Sequence, residues 1–294
     1  MQTVFGRGET PEIGIELSDG QRSFAPGEVV RARITFSAAK GFKSRPVRAG
    51  LVLLRRSQEV DVVRDSDNDR RRTHTWVTHE QWVQADDLEV DTSGGPQVFD
   101  REWKVPAGAA PTYAGEITSN RWVLKVTIDR KLAKDVNAEE AIVVVSPLPA
   151  EANQGALVQS AAHSDANLRL ELARGAFAEG ERVSGTLVFE PAEGLKARGL
   201  RVELARSERV TSRDGTNEKT VVVEVQELAR EDQLRQRAEY PFAFVLARAG
   251  QPSHVTAGAG ATASWSVRAI LDRPMRGDVE AVQEVLVYTQ AASA

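Results

Sequence analysis

The chain has 294 residues, of which 41% are hydrophobic and 27% charged, so it can bury a core and its length suits two ordinary domains. Its 38 Lys and Arg stand against 42 Asp and Glu, a net charge of -4 spread evenly over both halves, which excludes a polycation built to grip nucleic acid. There is no cysteine and there are only four histidines, so disulfides, thiolate metal sites and cysteine nucleophiles are excluded together.

The opening, MQTVFGRGETPEIG, lacks the apolar run of a signal peptide, and no stretch is long and apolar enough for a membrane span, so the expected location is cytoplasmic. Glu12 to Leu17 is the first predicted strand. From Val29, VVRARITF alternates, placing Val30, Ala32, Ile34 and Phe36 on one face and Arg31, Arg33 and Thr35 on the other. Further strands are expected at Val47 to Leu54, Thr73 to Val83 and Phe99 to Val105. In RWVLKVTID, from Arg121, the residues Trp122, Leu124, Val126 and Ile128 point inward, and Ala141 to Val145 follows. Turn clusters such as SDG, PGE, TSGGP and VPAGAAP separate these segments. Short strands at this spacing, with almost no helical pattern between them, predict an all-β antiparallel sandwich.

The sequence also repeats itself. Residues 24–51 laid over 177–204, at a constant offset of 153, share 12 identities in 28 positions, against about two by chance. Phe24, Gly27, Glu28, Val30, Phe36, Lys43, Arg48 and Leu51 recur as Phe177, Gly180, Glu181, Val183, Phe189, Lys196, Arg201 and Leu204. Near the ends of the copies, Pro111 falls on Pro252, Trp122 on Trp265, and Asp129-Arg130 on Asp272-Arg273. The predicted organisation is two tandem immunoglobulin-like sandwiches, 1–148 and 168–294, joined by an Ala-, Ser- and Pro-rich linker over 149–167.

The series FAPGEVV, FKSRPVRAGLVL, APTYAG and VTIDR, matched by FAEGERVSG, LKARGLRVEL, QPSHVTAG and AILDRP, resembles the arrestin-like superfamily. That resemblance spans nearly the whole chain and implies arrestin N-like and C-like sandwiches in tandem. It implies a non-enzymatic scaffold or adaptor with protein partners, among them the cytoplasmic parts of membrane proteins. Bacterial relatives include a sporulation-control protein, and the Arg-rich, Ala-rich composition resembles that branch. No P-P-x-Y motif occurs, so ligase recruitment is not carried over, and with TQAASA following the last predicted strand the regulatory tail of receptor-regulating arrestins is not expected.

The candidate residues each carry a functional and a structural reading. The loop RDSDNDRRR offers Arg64, Arg70, Arg71 and Arg72 as partner-binding residues; its Asp65, Asp67 and Asp69 alternate as in a calcium loop, but three arginines stand where glycine and a distant glutamate should follow. SRDGTNE, Ser212 to Glu218, is its counterpart in the second copy. His74 and His79, five apart, fall on opposite faces of a strand and cannot share a metal, so no metal and no cofactor is expected. Trp76 and Trp82 share a face, suited to core packing or, less simply, to ligand stacking. With Tyr113 they are the aromatics that a carbohydrate- or lipid-binding sandwich, the alternative reading, would use. Asp129, Arg130, Asp272 and Arg273 are read as structural turn residues or as a polar hinge near the domain junction. Nucleophile elbows, phosphate loops, H-E-x-x-H pairs and dinucleotide fingerprints are all missing from the sequence, and catalysis is not expected.

Overall fold

The computed structural model describes residues 11–18, 20–38, 46–64, 70–91, 95–129, 135–152, 154–256 and 260–290. The first half of the chain forms strands β1 (Glu12–Leu17), β2 (Ser23–Phe24), β3 (Val29–Ala38), β4 (Val47–Arg64), β5 (Arg70–Leu88), β6 (Gly95–Lys104), β7 (Tyr113–Ala114), β8 (Thr118–Ile128) and β9 (Val136–Val144). The second half forms β10 (Leu157–Ala162), β11 (Ala166–Leu172), β12 (Ala176–Ala178), β13 (Arg182–Pro191), β14 (Gly199–Ser212), β15 (Gly215–Arg230), β16 (Ala238–Val245), β17 (His254–Thr256), β18 (Ala261–Asp272) and β19 (Val279–Tyr288). No helix of the described residues is long and apolar enough to cross a membrane.

In the first half a sheet of order β1-β3-β6 faces one of order β2-β9-β8-β4-β5, with β7 added beside β8. In the second, β10-β11-β13-β16 faces β12-β19-β18-β14-β15, with β17 beside β18. The fold is therefore all-β, with facing sheets consistent with a β-sandwich. The alternation predicted for β3 and β8 holds: Val30, Ala32, Ile34 and Phe36 from one sheet, and Trp122, Leu124, Val126 and Ile128 from the other, are buried in one core. Phe177, Phe189, Leu204 and Trp265 lie in a separate core in the second half.

Two expectations need correcting. The sheets are mixed rather than purely antiparallel, because the short β2 runs parallel to β9, and β12 parallel to β19. The span 149–167 is not a plain linker, since β10 within it pairs with β11. In LVQSAA only Leu157 and Ala161 pack on the core, and small residues elsewhere hide the alternation from a hydropathy reading.

The recurring residues do the same work twice. Gly27 and Gly180 both take a left-handed backbone, at φ of 93° and 86°, which favours glycine there. Their amides donate to Val105 O and Leu246 O. The following glutamates, Glu28 and Glu181, each accept the amide three residues back, from Ala25 and Ala178, at 2.8 Å. Trp122 and Trp265 each donate their indole N–H, at 2.8 Å, to the carbonyls of Ala110 and Gln251. Thr112 and Ser253 accept the amides of Val144 and Val287 through their hydroxyls.

Candidate functional site

A densely connected polar site lies where the two halves meet, and strand periodicity shows how it arises. Along β14 the core face reads Leu200, Val202, Leu204, then Arg206, Glu208 and Val210, so two charged side chains continue an apolar series past the end of the core. Along β4 the corresponding series is Val47, Ala49, Leu51, Leu53, then Arg55, Ser57 and Glu59. The 153 offset places Arg55 and Glu208 at the same position of the two copies.

Glu208 is fully buried. Its Oε1 accepts the Tyr113 hydroxyl at 2.9 Å and the Glu116 amide at 3.0 Å, while Oε2 accepts the Ile117 amide at 2.8 Å. Arg206 Nη2 stands 3.2 Å from the same carboxylate, and Arg206 Nη1 donates to Gln251 Oε1. All three donors to Glu208 come from the other half, which makes one carboxylate a clamp between the two. Gly115 is needed here, because a Cβ on it would come within 2.5 Å of that carboxylate. Burial, followed by the negative charge of Glu208, raises the Tyr113 phenol above its usual range, so it stays a neutral donor.

Tyr113 also packs on His254, with ring centroids 4.4 Å apart at 59°. His254 Nδ1 lies 3.2 Å from Pro252 O and Nε2 lies 3.5 Å from Asn120 Nδ2, a pattern that fits the neutral ring with the proton on Nδ1. Desolvation dominates there and lowers the imidazole below its ordinary value. At the other side of the junction Ser146 N donates to Thr289 Oγ1 at 2.6 Å and Thr289 N to Ser146 O at 2.9 Å. Tyr113 and His254 occupy matching positions in the repeats, as do Ser146 and Thr289, so each meets its own counterpart, as in an isologous two-fold interface.

The sequence-predicted residues lie elsewhere. Arg64 and Arg70 pair with each other across the β4–β5 hairpin, followed by Val63 with Arg71 and Val62 with Arg72. These arginines therefore extend a ladder rather than sit in a loop, and the side chains of Arg71 and Arg72 are exposed. Asp65, Asp67 and Asp69 fall outside the described residues, as does Arg130. Among the described residues no group of three or more His, Cys, Asp or Glu is placed to hold a metal ion. His74 and His79 are exposed, and His79 Nε2 contacts Glu59 at 3.1 Å.

The expectation that Trp76 and Trp82 pack in the core is overturned. Trp76 is 40% exposed beneath the Arg56 guanidinium, and Trp82 lies half-buried beneath Arg48, each cation 4.4 Å from the ring centroid. The β5 register turns both rings to the outer face, and the cations supply the contact that the core would have given. Tyr113, buried at the junction, shares no surface with them, so the three-aromatic cluster is not assembled.

Asp272 and Arg273 lie at the far end of β18 from the junction, eleven residues or roughly 36 Å beyond Ala261, where a hinge has no footing. Asp272 accepts Arg198 Nε at 2.9 Å. Arg273 ties two turns together, donating to Gly277 O at 2.8 Å and Asp165 Oδ2 at 2.7 Å, and it holds the Asp165 carboxyl below its usual range. Asp129 directly follows β8, at the end away from Thr118 and the junction.

No protein-family model matches the chain, and no curated protein matches its sequence.

Proposed function

We propose that this protein is a non-catalytic, arrestin-like scaffold or adaptor of two tandem sandwich domains that binds other proteins. The observation that carries the reading is the repeated motif series, whose glycines, glutamates and tryptophans hold equivalent bonds in both copies. Those motifs are where the resemblance to the arrestin-like superfamily lies, and that resemblance brings with it a protein-binding role in the cytoplasm. The junction supports the same reading: the polar residues at its centre are occupied with one another, which suits fixing two sandwiches as a single presenting surface.

Within this reading the partner-facing region is the outer end of the β4–β5 hairpin, with Arg64, Arg70, Arg71 and Arg72 as the residues that meet an acidic or phosphorylated partner. Quantitative affinity purification from the native cell, with the parent chain and an Arg70→Ser/Arg71→Ser/Arg72→Ser variant, tests it. A stoichiometric partner lost or weakened in the variant supports the reading. A partner held equally by both removes the hairpin from the interface, and turnover of a small substrate by the purified chain contradicts the adaptor role.

A further inference from the structure

Strand β15 ends its sheet, so its ladder runs along one side only, against β14. Both of its ends are held. Near the hairpin, Asn217 Nδ2 donates to Gln58 O and Lys219 Nζ lies 3.2 Å from Glu116, both in the other half; at the far end Gln226 Oε1 accepts the Ala243 amide of β16 at 3.2 Å. Between these points, among the described residues, the backbone of 220–225 makes no hydrogen bond outside its ladder with β14. The stretch reads TVVVEV, without proline or glycine, and Val222, Val223 and Val225 are 43%, 42% and 48% exposed.

An open apolar edge is a template for another strand, and proteins ordinarily blunt it. The first half does so. Both hairpins carry a bulge at the same place, between Leu51 and Val52 and between Leu204 and Ala205, so Trp82, Val83 and Gln84 correspond to Val222, Val223 and Glu224. In β5, Trp82 lies under Arg48, Val83 packs on the core and Gln84 Oε1 accepts the Lys104 amide of β6 at 2.7 Å. In β15 the three covers are missing: the valines are open, and Glu224 is exposed with no ion pair or side-chain hydrogen bond among the described residues.

The same window indicates what it would accept. Val222 and Val225 pair with Ala205 and Glu203 on the outer side of the sheet, whereas Glu224 is in phase with Leu204. A strand that alternates β-branched apolar residues with basic ones sets the first against the valines and the second beside Glu224. A second copy of this chain fits less well, because self-pairing brings two Glu224 carboxylates into one ladder and the adjoining cation, Lys219, is held by Glu116. We propose that the free edge of β15 at 220–225 docks an extended segment of another protein, apolar and basic in alternation, as an added strand. This surface is separate from the arginines of the β4–β5 hairpin and does not depend on them.

Fluorescence anisotropy of the labelled peptide TVKVKVT with the full chain tests it. The peptide should bind saturably. Its counterpart N-methylated at the central amides, equal in charge and side chains, should bind at least about tenfold more weakly, because it loses the ladder and keeps the electrostatics. Glu224→Lys should weaken the basic peptide about three- to tenfold and turn the preference toward TVEVEVT; Val222→Lys, also at an exposed position, carries the test if the first variant fails to fold. The Arg70→Ser/Arg71→Ser/Arg72→Ser variant should bind the peptide as the parent does, and loss of binding there would place the peptide on the hairpin instead. No saturable binding, equal binding of the N-methylated peptide, or undiminished binding by the folded β15 variants overturns the proposal. A dimer of the parent that Val222→Lys dissolves assigns the edge to a second copy and overturns it too.

Discussion

The hairpins β4–β5 and β14–β15 are the same element in the two repeats, yet they end in opposite ways. β14 and β15 close through Arg213 and Asp214, and that end rests on the other half: the Ser212 hydroxyl donates to Val60 O at 3.0 Å and Asn217 Nδ2 to Gln58 O at 3.0 Å. The β4–β5 ladder continues past Val60 to the Arg64–Arg70 pair, where Arg71 and Arg72 are exposed. One copy of the hairpin is committed to holding the molecule together, which leaves the other copy free to carry a function. A stabilising role and a binding role should then separate cleanly under mutation.

The largest effect is expected on the committed side. Glu208→Ala removes the acceptor for three donors and leaves Arg206 buried without its counter-charge, which should cost about 3–5 kcal/mol in urea unfolding. A loss under 1 kcal/mol would mean that the clamp does not hold the halves. Tyr113→Phe removes one bond to a charged acceptor while keeping the ring on His254, and should cost about 1.5–3 kcal/mol by the same measurement.

A pH dependence follows from His254. Its imidazole is lowered in the folded protein, so the unfolded chain takes up the proton first. Above 6.5, the ordinary value, both states are neutral and this group contributes no pH dependence. As the pH falls below that value, stability should decline until the lowered folded value is passed, because a protonated Nε2 would face the Asn120 amide donor across 3.5 Å. Denaturation between pH 7.5 and 5 should show the decline in the parent and lose most of it in His254→Phe; an identical profile in both would contradict the assignment.

The smallest effect on stability belongs to the free side. Replacing Arg70, Arg71 and Arg72 with Ser should change the unfolding free energy by no more than about 0.5 kcal/mol, since Arg71 and Arg72 are exposed and exposed charges contribute little. The same variant should weaken association with an acidic partner and lower its salt dependence.

Much of the fold was legible because alternation is a strong signal where one face is dry. In β3, and in β8 from Trp122 onward, every second residue is apolar, and those residues lie in the core. The linker strand β10 was illegible because Ala and Ser carry no hydropathy contrast. The long hairpins were read too short, since beyond Leu54 the core-facing positions of β4 turn polar at Arg55, Ser57 and Glu59, and Arg71 and Arg72 before Thr73 are exposed, so neither stretch alternates in hydropathy. The junction was missed although a trace of it was present. Arg206 and Glu208 sit in phase with Leu200, Val202 and Leu204, and Arg55 and Glu208, of opposite charge, share one position in the repeat. Charges in phase with a core face, differing between copies, mark a surface where the copies meet. The Trp76 and Trp82 reading failed for a related reason: an aromatic pair on one face cannot say which face is dry, and here arginines cover the rings.

The central claim is that two copies of one sandwich are held as a single unit through Glu208, and amide hydrogen exchange at Glu116 and Ile117 tests it most directly. Both amides belong to one half and donate to a carboxylate of the other, at 3.0 and 2.8 Å. They should exchange as slowly as the core amides of β8 in the parent and lose that protection in Glu208→Ala while the cores stay protected. Fast exchange of both amides in the parent would contradict the account, because the halves would then be separate bodies on one chain.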